Sequence, residues 1–138
     1  MVVGDSGAYF LGEELLAVAL GLGGWPAMQF TGPLFYLLGL LTDGRTSTQV
    51  HKVQTLGLHK FFDTLVYSGE LGYAKPEKLL FVTLLERLKV KSDKAVFVGD
   101  HPESDIFGAA QAGLVGVWLR SGGHRWPTQL PSARHEID

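Results

Sequence analysis

The segment Ala95-Val96-Phe97-Val98-Gly99-Asp100-His101-Pro102-Glu103-Ser104-Asp105 indicates which fold class this chain adopts. Its first four residues form a continuous apolar run, which predicts a strand buried on both faces. Gly99 lets the backbone turn sharply after that strand, and a short helix is predicted over 106–112. A buried strand that leads directly into a helix is typical of an α/β fold, in which helices cover both faces of a parallel sheet.

The same alternation of strand and helix continues outward from this segment. Apolar runs predict further strands at 1–3, 34–41, 64–67 and 115–119. Helical spacing of apolar residues predicts helices over 13–22, from about residue 46 to 56, and from Pro76 to 88. The segment 121–138 has no periodicity and contains several Gly and Pro residues, so it is predicted to be a loop or tail.

Composition and charge narrow the functional classes. The chain has 138 residues and a net charge of −2, so it suits one domain and carries no electrostatic footprint for nucleic acid. It has no cysteine, which excludes disulfides, thiolate metal sites and a cysteine nucleophile. Its longest apolar runs are about eight residues, whereas a bilayer crossing takes about 20. We therefore expect a cytoplasmic protein that binds neither nucleic acid nor membrane.

Polar residues collect where the predicted strands end. Ligands of open parallel sheets bind beyond the carboxyl ends of the strands, so these residues define the predicted site. They are Asp5, Thr42-Asp43-Gly44, Ser68 and Gly99-Asp100.

Each group at this edge has a chemical interpretation and a plainer one. Asp100 and Asp105 offer hard carboxylate oxygens that suit Mg²⁺, or are a turn residue and a helix cap. Thr42-Asp43-Gly44 offers a hydroxyl and backbone N–H groups to a phosphate, or is an ordinary Asp-Gly turn. Lys75 opposes the dipole of the helix that Pro76 opens, which indicates an anion nearby, or it is a solvated surface lysine.

In order along the chain, these pieces resemble the haloacid dehalogenase (HAD) superfamily, over residues 37–120. Thr42-Asp43-Gly44 resembles its second motif, Ser68-Gly69-Glu70 with Lys75-Pro76 its third, and Val98-Gly99-Asp100 with Asp105 its fourth. Leu56-Gly57-Leu58 and Phe61-Phe62-Asp63 resemble the branch that contains the phosphoglycolate and N-acylneuraminate phosphatases. The separations of 33 residues from Thr42 to Lys75, and 25 from Lys75 to Asp100, also suit the family.

The resemblance implies a Rossmann-like three-layer sandwich with a mainly parallel sheet of about five strands. It also implies that Thr42, with Asp43 and Gly44, holds a phosphoryl group, that Lys75 neutralises it and positions the nucleophile, and that Asp100 ligates Mg²⁺. Asp105 would support that metal shell directly or through water. The implied substrate is a small phosphorylated metabolite.

The chain departs from the family at its first motif, Asp-x-Asp-x-Thr. The nearest segment is Val2-Val3-Gly4-Asp5-Ser6-Gly7-Ala8-Tyr9, in which Asp5 stands at the position of the nucleophile and metal ligand. Gly7 stands where the second Asp would be, and Tyr9 where the Thr would be. In the resembled family the first strand lies between the strands that end here at Thr42 and Asp100, so the resemblance implies a central slot at that position. This slot must be filled, because unpaired backbone groups are costly. We expect residues 1–4, or a segment swapped from a second copy, to fill it.

Only 36 residues separate Asp5 from Thr42, which leaves no room for the helical cap of the resembled branch. We expect a HAD-like core over 1–120, of which 1–33 diverges and 34–120 matches the family, without a cap. The apolar Trp25, Met28, Phe30 and Phe35 would cover this core or form a homodimer face.

Three functions stay open on the sequence. The first is a magnesium-dependent phosphatase. It is favoured over a dehalogenase because Lys75, Asp100 and Asp105 suit phosphate and a metal ion, and dehalogenation needs no metal. The second is a catalytically inactive or truncated relative that serves binding or assembly. The third is an α/β binding domain unrelated to phosphate.

Overall fold

The computed structural model describes residues 7–11, 37–120, 125–131 and 135–137. Within these residues the strands are β1 Gly7–Leu11, β2 Gly39–Thr42, β3 Thr64–Tyr67, β4 Val96–Gly99, β5 Val115–Leu119 and β6 His135–Ile137. The α-helices are α1 Thr46–Thr55, α2 Ser68–Leu71, α3 Lys78–Leu88 and α4 Gly108–Gln111. Shorter turns are the 3-10 segments Leu58–Lys60 and Ser92–Lys94 and the π-helical segment Pro102–Phe107.

The described strands form one six-stranded sheet in the order β3-β2-β1-β4-β5-β6. Strands β2 and β3, β4 and β5, and β5 and β6 pair in parallel, whereas β1 is antiparallel to both of its neighbours. The predicted α/β class with a mainly parallel sheet is confirmed, and the central strand is its exception.

Helices cover both faces of the sheet. Successive residues of a strand point to opposite sides, so one strand contributes apolar side chains to both layers. On one face, Leu41, Val66 and Phe97 pack under the leucine stripe of α3. Phe81 of α3 meets Phe97 edge to face, with ring centroids 4.9 Å apart. On the other face, Leu40 and Tyr67 pack with Val53 of α1 and with Leu58. The two layers leave the carboxyl ends of β2, β3 and β4 at one edge of the sheet.

The central strand differs from the sequence prediction. The slot between β2 and β4 is filled by an N-terminal segment, as expected, but by Gly7–Leu11 rather than by residues 1–4. The direction is also reversed, since Gly7 pairs with Thr42 and Leu11 with Val96. A run such as Ala-Tyr-Phe-Leu has the side chains that strands favour in either direction, and an antiparallel strand satisfies the neighbouring backbone groups equally well.

Four further boundaries need correction. In the strand predicted over 34–41, the described residues 37 and 38 lie outside β2, which extends to Thr42. The helix predicted over 106–112 begins earlier, as the π-helical segment Pro102–Phe107 that continues into α4. The predicted loop over 121–138 contains β6, which pairs in parallel with β5 through Val117 and His135. The helix predicted from Pro76 begins two residues later, at Lys78.

Other predictions fall on residues outside the described part of the chain. These are the strand at 1–3, the helix at 13–22, the absence of a cap between residues 12 and 36, Asp5, and the apolar group of Trp25, Met28, Phe30 and Phe35. Among the described residues, no helix combines the length and apolar character that crossing a membrane requires.

Candidate functional site

Side chains from three strand ends and one further loop meet at the edge where β2, β3 and β4 finish. Thr42 is the last residue of β2, and the loop after it contributes Asp43 and Gly44. The start of α2 contributes Ser68, and the loop before α3 contributes Lys75. The loop after β4 contributes Asp100 and leads into the π-helical segment that carries Asp105. Hydrogen bonds and an ion pair join these loops.

The innermost contact is an ion pair between Lys75 and Asp105. Lys75 Nζ lies 2.6 Å from Asp105 Oδ1, and the two side chains are 1% and 0% exposed. The second oxygen, Oδ2, accepts a hydrogen bond of 3.1 Å from the backbone N–H of His101. Both oxygens of Asp105 are therefore engaged, and this carboxylate fixes Lys75 and the start of the loop after β4.

Gly99 makes room for that carboxylate. A Cβ at position 99 would lie 2.4 Å from Asp105 Oδ2, which is far inside van der Waals contact. The sequence suggested a sharp turn as the reason for glycine here. The structure gives a different reason, because any side chain at this position would displace Asp105.

The loop after β2 is tied to its neighbours through backbone amides. The carboxylate of Asp43 accepts from the backbone N–H of Lys75, at 3.0 Å for Oδ2 and 3.3 Å for Oδ1. The backbone N–H of Gly44 donates to the hydroxyl oxygen of Ser68 at 3.3 Å. The carboxylate of Asp43 thus joins the loop after β2 to the loop before α3.

Thr42 is buried and contacts a residue that sequence reasoning did not single out. Its hydroxyl Oγ1 donates to Gln49 Oε1 on α1 at 3.1 Å. Thr42 is 3% exposed and Gln49 8% exposed. The available signal was spacing, since Gln49 lies one helical turn before Val53, on the face of α1 that packs against the sheet.

Asp100 lies at the end of β4 and is partly exposed. Its backbone carbonyl accepts a hydrogen bond of 3.0 Å from the indole N–H of Trp118 on β5. The ring of Trp118 packs against Trp126, with centroids 5.2 Å apart. The indole N–H of Trp118 therefore ties the backbone of Asp100 to β5.

One ionisable side chain at this edge, the phenol of Tyr67, has a shifted pKa. Burial raises the pKa of the Tyr67 phenol at the end of β3, and the negative charge of Glu70 raises it further. The neutral phenol is thereby favoured beside the loop after β2.

Residues 34–113 match the family described as haloacid dehalogenase-like hydrolase. This chain belongs to the HAD-like hydrolases. The resemblance read from the second, third and fourth motifs is confirmed.

HAD-like relatives cover the same part of the chain. A glyceraldehyde 3-phosphate phosphatase from Methanopyrus kandleri is 39% identical over 97 residues, which are 70% of this chain and 42% of the relative. An N-acylneuraminate-9-phosphatase from Mus musculus is 33% identical over 99 residues, which are 71% of this chain and 40% of the relative. The solved structure of a 2-haloacid dehalogenase from Pseudomonas syringae has a TM-score of 0.60 and 37% identity, covering 72% of this chain and 40% of that one. The chain spans about two fifths of the length of these HAD-like proteins.

The described part of this HAD-like chain contains no group of three His, Cys, Asp or Glu side chains that could hold a metal ion. Asp5 lies outside that part. The nearest described position is Gly7, which pairs with Thr42 and so lies at the same edge as Lys75 and Asp100.

Proposed function

We propose that this chain carries the phosphoryl-binding edge of a magnesium-dependent HAD-type phosphatase that acts on a small phosphorylated metabolite. The observation that carries the proposal is the buried ammonium of Lys75, held by Asp105 at 2.6 Å beside the loop after β2. Two of the relatives, a glyceraldehyde 3-phosphate phosphatase and an N-acylneuraminate-9-phosphatase, support it. A cytoplasmic location and a homodimer stay predictions.

The residues at this edge have different roles in binding a phosphate. Little water screens the charge of the buried ammonium of Lys75, so it attracts a phosphate even though the carboxylate of Asp105 offsets part of that charge. The hydroxyl of Thr42 and the backbone N–H of Asp43 provide hydrogen-bonding groups for the phosphoryl oxygens, and the N–H of Gly44 does so by exchanging its bond to Ser68. Asp105 positions Lys75 instead of contacting the substrate. Asp5 would be the nucleophile, and the phosphoryl group would pass from the substrate oxygen to its carboxylate before water releases it.

Asp100 is the described residue that fits Mg²⁺. Mg²⁺ commonly binds to one or two carboxylates and completes its shell with waters and substrate phosphate, so one well-placed carboxylate with Asp5 is a suitable donor set. The bonds of both Asp105 oxygens to Lys75 and His101 leave that residue a supporting role. When bound, the ion offsets the negative charge of the phosphate, so that an anionic carboxylate can approach it.

A second function is favoured by the direction of β1. In a parallel sheet, the residue after the carboxyl end of the central strand faces the ligand. The carboxyl end of β1, Leu11, instead pairs with Val96 at the opposite edge. A central strand that runs in this direction cannot place a nucleophilic carboxylate at the site from its carboxyl end. This arrangement is what we expect of a relative that binds phosphate without hydrolysing a substrate.

The test is release of phosphate from para-nitrophenyl phosphate by the full chain, with and without Mg²⁺. Asp5→Asn and Asp100→Asn are the test variants. Asp93→Asn is the matched control, because Asp93 is exposed and lies before β4, at the edge away from the site. Magnesium-dependent turnover that Asp5→Asn and Asp100→Asn abolish and Asp93→Asn retains supports the phosphatase.

Two results would contradict parts of this proposal. Turnover that survives Asp5→Asn but not Asp100→Asn makes the assigned nucleophile wrong and leaves the phosphatase standing. A folded chain with no turnover, whose unfolding temperature still rises with Mg²⁺ and phosphate, supports the binding relative instead.

A further inference from the structure

Gln49 is a buried polar side chain on α1. It is 8% exposed, on the face of α1 that also carries the buried Val53. A buried amide is costly unless its donor and acceptor groups find partners. Its Oε1 accepts from Thr42, while its Nε2 would lie 2.7 Å from a Cβ built on Gly44. The amide of Gln49 therefore lies directly against the loop after β2. Position 44 has to be a glycine to leave room for it, because a Cβ there would overlap Nε2.

The hydrogen bond between Thr42 and Gln49 uses the only proton of the hydroxyl. A threonine hydroxyl donates once and accepts twice. As long as that proton points to Gln49 Oε1, Thr42 offers only lone pairs to a ligand. A phosphate oxygen is an acceptor, so it requires the proton of Thr42 to point toward it.

We infer that Gln49 is a positioning residue that sets the direction of the Thr42 hydroxyl, an inference that rests on the proposed function. Its carbonyl holds the proton of Thr42 when no phosphate is bound. When phosphate binds, the side-chain amide rotates so that Nε2 donates to Thr42 Oγ1, and the hydroxyl, which keeps its proton, donates its hydrogen bond to a phosphoryl oxygen. Glutamine can serve both states because it carries a donor and an acceptor on one planar group.

This role predicts an order of variants that packing alone does not. Gln49→Glu keeps the size and the acceptor but loses the donor, so it retains the proton of Thr42 and adds a negative charge beneath the phosphate. Gln49→Met keeps the length but loses both groups, so no acceptor holds the proton of Thr42 away from the phosphate and no donor directs that proton toward it. We expect affinity for phosphate to fall in the order wild type, Gln49→Met, Gln49→Glu. A purely structural glutamine would tolerate glutamate better than methionine at the contact with Thr42.

The experiment is calorimetric titration of the full chain with inorganic phosphate in the presence of Mg²⁺. We expect Gln49→Glu to weaken binding by about tenfold or more, as for a lost hydrogen bond to a charged group. Gln54→Glu and Gln54→Met are the matched controls, because Gln54 is exposed on the same helix. These controls should bind within about twofold of the wild type, which corresponds to less than 0.5 kcal/mol by the same relation.

A double-variant comparison keeps the inference testable if Gln49→Glu does not fold. Gln49→Met should weaken phosphate binding when Thr42 is present and should have no further effect in a Thr42→Val background, because it acts through that hydroxyl. An equal effect in both backgrounds, or tighter binding by Gln49→Glu than by Gln49→Met, overturns the inference. If the wild type neither binds phosphate nor hydrolyses para-nitrophenyl phosphate, the proposed function falls together with it. Normal turnover and binding in the Gln49 variants overturn the inference alone.

Discussion

Lys75 and Asp105 form a buried ion pair, with Nζ and Oδ1 2.6 Å apart and side chains that are 1% and 0% exposed. The two residues are 30 positions apart in the chain, on the loop before α3 and on the π-helical segment after β4. Their contact fixes the relative position of the two loops. The same pair therefore joins two loops of the fold and holds the ammonium of Lys75 at the proposed site.

Asp105→Asn should strongly destabilise the protein. The variant removes the negative charge and leaves the buried ammonium of Lys75 uncompensated, which typically costs about 3–5 kcal/mol of the free energy of unfolding. Urea denaturation of the variant and the wild type measures this cost. The surface pair Arg120–Glu136 is the control, since its atoms are 3.7 Å apart and its side chains 45% and 49% exposed. Glu136→Gln should cost less than about 1 kcal/mol, and equal losses for the two pairs would contradict the argument.

Gly99→Ala should disturb the site as well as the fold. The added Cβ would lie 2.4 Å from Asp105 Oδ2 and 2.5 Å from Asp105 Cβ, so the carboxylate must move away from Lys75. We expect a loss of stability of about 2 kcal/mol or more, as for an overpacked core, and weaker binding of phosphate by titration. Gly57→Ala is the control, because nothing lies within 4 Å and the only cost is its φ of +65°. It should lose about 1 kcal/mol of stability and keep its phosphate affinity, and a similar loss of affinity in both variants would make the steric argument wrong.

Much of the sheet could be predicted from local pattern. The bounds of β3 and β5 agree with the sequence prediction, because each is a short apolar run between turn residues. The direction of β1 could not be predicted in this way, since alternation and strand propensity are the same when a strand is reversed. The predicted parallel slot depended on the family resemblance, and it was filled in the opposite direction by different residues.

The candidate site was predictable only as far as residue type and spacing reach. Thr42, Lys75 and Asp100 were singled out because they follow strands or open a helix. Gln49 and Gln54 are the same residue type on the same helix, and only one faces Thr42. Trp118 was assigned to a strand, and no pattern shows where its indole N–H points. Contacts between elements that are distant in sequence carry this information.

Trp118→Phe should weaken binding of Mg²⁺ in the proposed site. Phenylalanine keeps most of the ring but loses the N–H that donates to the carbonyl of Asp100 at 3.0 Å. Loss of a group that orients a metal ligand typically costs about tenfold or more in metal affinity. Calorimetric titration with Mg²⁺ measures the change. Trp126→Phe is the matched control, since its N–H donates to the carbonyl of Pro131 and not to Asp100. Unchanged Mg²⁺ affinity in Trp118→Phe would show that its hydrogen bond does not position Asp100.

The stability of the protein should fall in alkaline solution partly because of Tyr67. Burial, and then the charge of Glu70, raise the pKa of this phenol above its ordinary value of about 10. Below that value the phenol is protonated in both states, and its contribution is fully present. As the pH rises through about 10, the unfolded chain loses the proton first, so the free energy of unfolding falls until the folded state also ionises. Urea denaturation at about pH 9 and about pH 11 should therefore show a smaller loss for Tyr67→Phe than for the wild type. Tyr73→Phe, at a side chain that is 50% exposed and outside the Tyr67 cluster, is the control. A loss in Tyr67→Phe as large as that of the wild type would mean that the buried phenol does not contribute to the alkaline transition.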